Sequence, residues 1–223
     1  MKTAINVTLG LCAAVLLYLC YRSILEPIQF NEERDVREAA VKARLLQIKS
    51  AEDYYRQQHE GEFCDTMSVL IEFIKTARIP HVQKTGELSD KQMEDGLTEA
   101  KAAAIVNSGD AAAIAANGLE GFRRDTTWSP MAEAIVGSGD ADSLQYIPYG
   151  NGAIFELEKT IYVGRSGVTQ NVMECRAPYS SYLYGMNARE IYNLTDAAEK
   201  QSRYPGLKIG DLLTPNNNAG NWE

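Results

Sequence analysis

The chain has 223 residues with 22 basic and 30 acidic side chains, a formal charge of −8, two histidines and four cysteines. That acidic balance, with no basic patch, argues against a nucleic-acid partner. No P-loop, G-x-G-x-x-G, G-x-S-x-G or C-x-x-C motif occurs, so no cofactor, metal or catalytic residue is expected.

Residues 1–3 read as a short tail. Residues 4–21 carry no charge, and their polar groups are Asn6, Thr8, Cys12, Cys20, Tyr18 and Tyr21. Eighteen helical residues rise about 27 Å, close to the roughly 30 Å core of a bilayer. Tyr18 and Tyr21 fall at the far end, where amphipathic rings prefer the headgroups, and Arg22 follows at once. A cleaved signal needs small residues just before the cut, but Ala13 and Ala14 are followed by four more bulky apolar residues. A lipoprotein site needs a small residue before its cysteine, and leucine precedes both Cys12 and Cys20. The run is therefore expected to stay as a single-pass anchor in the lipid bilayer. Arg22, Arg34, Arg37 and Lys42 favour a cytoplasmic head by naive counting. A Lys directly before an apolar run and the length of the head favour the opposite side, which is the expectation adopted: inner membrane, head periplasmic. Gly10 and Ala14 form a small-xxx-small pair through which spans can associate.

Residues 22–60 are read as a juxtamembrane segment and one long helix. Pro27 is expected to interrupt the chain, and the helix to start near Asn31 and run to about His59. Val41, Leu45, Ile48, Ala51 and Tyr55 make one apolar stripe, while Glu32, Glu33, Glu52, Asp53 and Glu60 are assigned to a solvated face. Residues 61–142 are expected to be helical. One helix carries Met67, Leu70, Ile71 and Ile74 on its buried face and closes at Pro80; Asp65 is its expected cap. Ser89 or Asp90 is the expected cap of the next, and Asn107-Ser108-Gly109 and Asn117-Gly118 read as stops. IVNSGDAAA returns as IVGSGDADS thirty residues later, read as two helices ending in glycine turns.

From residue 143 to 223 the period becomes two. LQYIPYG, AIFELEKTIYVG and VTQNVMECRAPY read as strands, with Gly164-Arg165-Ser166-Gly167 as a hairpin connection. NAREIYNLTDAAEKQ reads as helix, and LKIG as a last short strand before the tail. The expected class is α+β: a transmembrane helix, a long amphipathic helix and further helices, then an antiparallel sheet.

Cys64 and Cys175 lie in the head. In an oxidising space they pair as one disulfide closing a loop of about 110 residues, worth up to ~4.7 kcal/mol; otherwise they are two buried thiols. Trp222, near the end of TPNNNAGNWE, either meets a partner or plugs the head's own core.

The span, the long helix with Tyr54-Tyr55 near its end and the Gly61-Glu62-Phe63 turn before a late β region resemble type IV pilins and the pseudopilins of type II secretion. In those families the first helix is half anchor and half packing surface for a small antiparallel sheet. No Glu lies a few residues into the apolar run, and Pro27 follows just outside it. Neither prepilin processing nor filament assembly is therefore carried over. The AEDYY…GEF…LIEFIK, RRDTTW and PGLKIGDLL…NNAGNWE stretches also resemble a group of uncharacterised single-pass proteins of Bacteroidetes. That resemblance implies export and possible O-glycosylation at Asp, then Ser or Thr, then an apolar residue or Thr; Thr66, Thr126 and Ser143 fit. The function expected is a membrane-anchored, non-enzymatic structural or assembly protein of the envelope with a protein partner or self-association. The alternative is a tethered enzyme or ligand-binding domain.

Overall fold

The computed structural model describes residues 2–223, without the side chains of residues 2–5 and 8. Met1 of the expected tail lies outside the described residues, and Lys2 and Thr3 already belong to the first helix.

Helix α1 runs from Lys2 to Gln58 with Pro27 inside it. The expected break at Pro27 and start at Asn31 are therefore corrected. A proline inside a helix removes one intrahelical bond, costing about 3 kcal/mol relative to alanine. The good helix formers and the anchored packing on its carboxy-terminal side outweigh that loss. Val41, Leu45, Ile48 and Ala51 are fully buried, so the second half of α1 is a wall of the core.

The chain divides into two compact units, one formed by residues up to Ile74 with Ser138–Glu223, the other by Lys75–Gly137. In the first unit, β3 (Glu156–Val163), β4 (Thr169–Pro178) and β5 (Gly206–Gly210) form an antiparallel sheet in that order. Leu157, Cys175 and Ile209 stand in register across it, as do Ala177 and Leu207, and all five are buried. Helix α1 packs against β5, the short helix α7 (Tyr179–Tyr182) and the 3₁₀ turn Ala141–Gln145. Arg37 fastens it there, donating to the carbonyls of Tyr182 (3.1 Å) and Tyr184 (2.8 Å).

On the outer sheet face Arg176 meets Glu156, Glu158 and Glu174, and Lys208 meets Glu174 and Asp211. Gly210 is required at the end of β5: its φ is +73°, and a Cβ there would stand 2.0 Å from the Met173 carbonyl oxygen. The chain then returns along β5, with Gly210 N–H donating to Ala219 O and Asn221 N–H to Lys208 O.

The hairpin connection forms as expected, with Gly164 N–H donating to Val168 O. The 144–150 stretch does not form a strand: Leu144 and Gln145 end the 3₁₀ turn, Tyr146 makes one bridge to Ile154, and the chain turns. Helix α2 (Met67–Thr76) buries Met67, Leu70, Ile71 and Ile74 as its spacing predicts. Helix α8 (Ala188–Lys200) is capped by Asn187.

The second unit corrects the expectation of an all-helical middle. β1 (Arg78–Thr85) and β2 (Arg123–Pro130) pair antiparallel, and Pro80 sits within β1 instead of ending a helix. Between them come α3 (Asp90–Glu94), α4 (Glu99–Asn107) and α5 (Ala111–Ala116); α6 (Met131–Val136) follows β2. Ala102, Leu119 and Phe122 form a small core with Leu88, Leu97, Ile105 and Ile114 around it. Ser89 caps α3 through a full capping box. In each copy of the IV-x-SGD phrase a helix stops and the aspartate caps the next element: Asp110 accepts from Ala112 and Ala113 N–H, Asp140 from Asp142 N–H.

Candidate functional site

The first half of α1 is apolar and bare. Leu9, Leu11, Leu16, Leu17, Tyr18 and Tyr21 are all exposed, and α1 is long and apolar enough to cross a membrane. Gly10 and Ala14 are exposed on it, and a Cβ added at Gly10 meets nothing within 4 Å. The apolar surface does not stop at Arg22, which pairs with Glu26: Ile24 and Ile28 are exposed too. Phe30 is the first buried residue of the helix among those described.

At the other end of α1 lies a group that the solvated-face assignment misplaced. Glu52 is fully buried. Its Oε2 accepts the Cys64 backbone N–H at 2.9 Å, tying the turn after α1 back to the helix. Its Oε1 is buried with no hydrogen-bond partner. Burial raises the carboxyl from its ordinary value near 4.5 to about 8, against the Cys64 N–H bond and the attraction of Lys159, and with some help from Asp53 and Asp65. Glu33, Asp53 and Glu60, by contrast, stay on the accessible side. The signal was present in the sequence: Val41, Leu45, Ile48, Glu52 and Tyr55 follow one another at steps of four and three, so Glu52 is a member of the stripe.

Cys64 and Cys175 are both buried, on the Glu52 side of the core, and both are free thiols, so the expected disulfide is not formed in this structure. Cys64 Sγ is directed to the Thr66 carbonyl at 3.3 Å, and Cys175 projects inward from the middle of β4. Burial, first among the causes, raises both thiols above the ordinary range, which suppresses thiolate chemistry. His59 is not a partner for Cys64 here: its ring stacks on Tyr55 at 3.8 Å and its Nδ1 lies 2.8 Å from the Tyr55 carbonyl. His81 pairs with Ser129 Oγ at 2.7 Å. Among the described residues no three His, Cys, Asp or Glu side chains gather as a metal site.

Trp222 is half-buried on its own head. It closes over Gly220 and lies 5.8 Å from Lys42 Nζ, in the wall of a cleft of about 310 Å³ that also includes Glu38, Tyr179, Leu194 and Leu207. Thr66 and Thr126 are exposed. Ser143 is not free in the same way: its hydroxyl donates to Asp140 O at 2.6 Å and accepts from Arg44 at 3.0 Å.

The second unit holds a larger cleft, about 630 Å³, lined by Leu88, Met93, Leu97, Lys84, Glu99 and Arg124 among others. Glu99 bridges Lys84 (3.1 Å) and Arg124 (3.3 Å), which hold its carboxyl below the ordinary range. Arg124 is itself committed to the fold, donating to the carbonyls of Thr85 and Gly86 and lying 3.9 Å from the Phe122 ring. Residue patterning does not reveal this cleft, because its lining comes from a strand end, a loop and a helix start that composition does not join.

Comparison with protein-family models, with curated proteins and with solved structures finds no match.

Proposed function

We propose that the protein is a membrane-anchored, non-enzymatic structural or assembly protein of a bacterial envelope, pseudopilin-like in layout. It sits in the inner membrane through α1, holds its head on the periplasmic side and acts through protein–protein contacts. The observation that carries this reading is the continuity of α1. One helix is bare and apolar over its first half and is the core wall of the head over its second. A rod shared between lipid and core transmits position and load between the two, which suits assembly more than turnover. Exposed Val36 and Leu46 on the head-bearing part of α1 add apolar contact surface.

The test is extraction of the native protein in mild detergent followed by native mass measurement. The reading predicts a discrete assembly heavier than one chain. A monomer throughout would oppose it.

The cleft of the second unit supports the alternative, a tethered ligand-binding domain, because it sets apolar walls beside two cations. Under that reading, small organic anions shift the melting temperature of the full-length protein and Arg124→Ala abolishes the shift. Under the favoured reading they do not.

A further inference from the structure

The cleft beside Trp222, about 310 Å³, is walled by three aromatic side chains, Tyr179, Tyr204 and Trp222, and fringed by Glu38, Lys42, Gln201 and Arg203. All belong to the first unit. The end of the wall that carries Trp222 is fixed in place. The Asn221 side chain donates to Gly206 O at 2.9 Å and accepts from Lys208 N–H at 3.1 Å, which sews the tail to β5. Glu223 N–H donates to Gly220 O at 3.2 Å, and a Cβ added at Gly220 would overlap the indole. The polar groups of the cleft, by contrast, are left open. Among the described residues, the hydroxyls of Tyr179 and Tyr204, the Trp222 indole N–H and the side chains of Gln201 and Arg203 have no hydrogen-bond partner in the chain. Burial holds both phenols above their ordinary range, that of Tyr204 at about 12, so they stay protonated and able to donate. Glu38 lies 3.4 Å from Lys42 and 3.6 Å from Arg34. Next to this wall Tyr182 is fully buried, its ring 5.9 Å from that of Tyr179, and its hydroxyl lacks a partner too, which is rare for a buried group.

From this arrangement we infer that the cleft binds one pyranose ring of a saccharide. A pyranose has C–H faces that pack on aromatic rings and a rim of hydroxyls that both donate and accept. The cleft offers both counterparts: three aromatic side chains, and donors (the phenols, the indole N–H, Lys42 and Arg203) beside acceptors (Glu38 and the Gln201 carbonyl). Other ligand classes fit less well. A simple anion is opposed by the Glu38 carboxylate. An acyl chain would bury the row of open polar groups without partners. The volume is near the lower end of ligand clefts, about 300 Å³, which suits a single ring more than an extended peptide. This site lies beyond the assembly role proposed above and does not depend on how α1 is anchored.

The experiment is fluorescence titration of the full-length protein in an amine-oxide detergent, which carries no sugar to compete. The chain has two tryptophans, so Trp128→Phe, a change on the exposed face of β2, leaves Trp222 as the reporter. The probes are maltotriose, chitotriose and trigalacturonic acid, with adenosine and a neutral tripeptide as controls. The inference predicts that at least one trisaccharide gives a saturable change in Trp222 emission and that the controls do not. Arg203→Ala and Gln201→Ala, both at exposed positions, should each weaken that binding several-fold with the melting temperature unchanged. Trp222→Phe, followed by calorimetry, should weaken it about ten-fold. Failure of all three saccharides to bind, binding indifferent to Arg203→Ala and Trp222→Phe, or equal binding of adenosine or the tripeptide would each overturn the inference. None of these outcomes bears on the anchor or the assembly, which the native mass measurement tests separately.

Discussion

Glu52 sets the pH response expected of the head. Its folded value lies above its unfolded one, so between about pH 4.5 and 8 the unfolded chain ionises here and the folded chain does not. Stability is therefore highest below the unfolded value and declines as pH rises through that window, by a few kcal/mol in all at about 1.4 kcal/mol per unit. Glu52→Gln keeps an acceptor for the Cys64 N–H and carries no proton to lose. Thermal unfolding across pH 4.5–8.5 should show the wild type falling and Glu52→Gln nearly flat, with the variant the more stable of the two at pH 8; parallel curves would rule the account out. The same core predicts thiol behaviour. In the native protein Cys64 and Cys175 should resist a maleimide, and unfolding without reductant should add two adducts; a disulfide would add none until reduced. Residues of this kind are hard to read from sequence, because a glutamate is assigned to water by type although its position on the apolar stripe places it in the core.

At the scale of elements, the second half of α1 carries the stability of the head, and its first half is the proposed tether. Leu45→Ala should cost ~2–5 kcal/mol, read from denaturant unfolding of the full-length protein in detergent, since Leu45 is fully buried and truncation leaves a cavity in the core. Pro27→Ala restores an amide donor in the middle of a continuous helix, and hydrogen exchange around residues 23–31 should slow. Unchanged exchange would mean the proline costs this helix nothing. The elements that sequence patterning finds are those with one wet and one dry face: α2, the β3–β4 hairpin with Phe155 and Leu157 turned inward, α8, and the glycine stops after α4 and α5. The β1–β2 ribbon escapes it for the converse reason. Nearly every residue of RIPHVQKT and RRDTTWSP is accessible, so neither strand has a dry face to impose alternation, and Pro80 argues for a stop.

For the whole molecule, the α+β class and the order of anchor, long helix and late sheet follow from hydropathy period and turn residues. The division into two units does not. Residues up to Ile74 join Ser138–Glu223 across an inserted Lys75–Gly137 unit; no long Pro-rich or Gly/Ser-rich linker marks either crossing, and the short Gly137-Ser138-Gly139 stretch at the second reads as a helix stop. The clefts were equally hidden, since one joins residues from Glu38 to Trp222 and the other closes the 84–99 stretch with Arg124. What the molecule as a whole offers is a helix with one end suited to lipid and the other locked into a folded head, and its proposed role depends on both ends being used at once. Protease treatment of spheroplasts, with mass measurement of what stays in the membrane, tests this most directly. The account predicts that the head is digested from outside and that a short fragment retaining residues 4–21 remains embedded. A full-length chain that is protected until the membrane is broken, or a soluble polypeptide beginning after Tyr21, would contradict it.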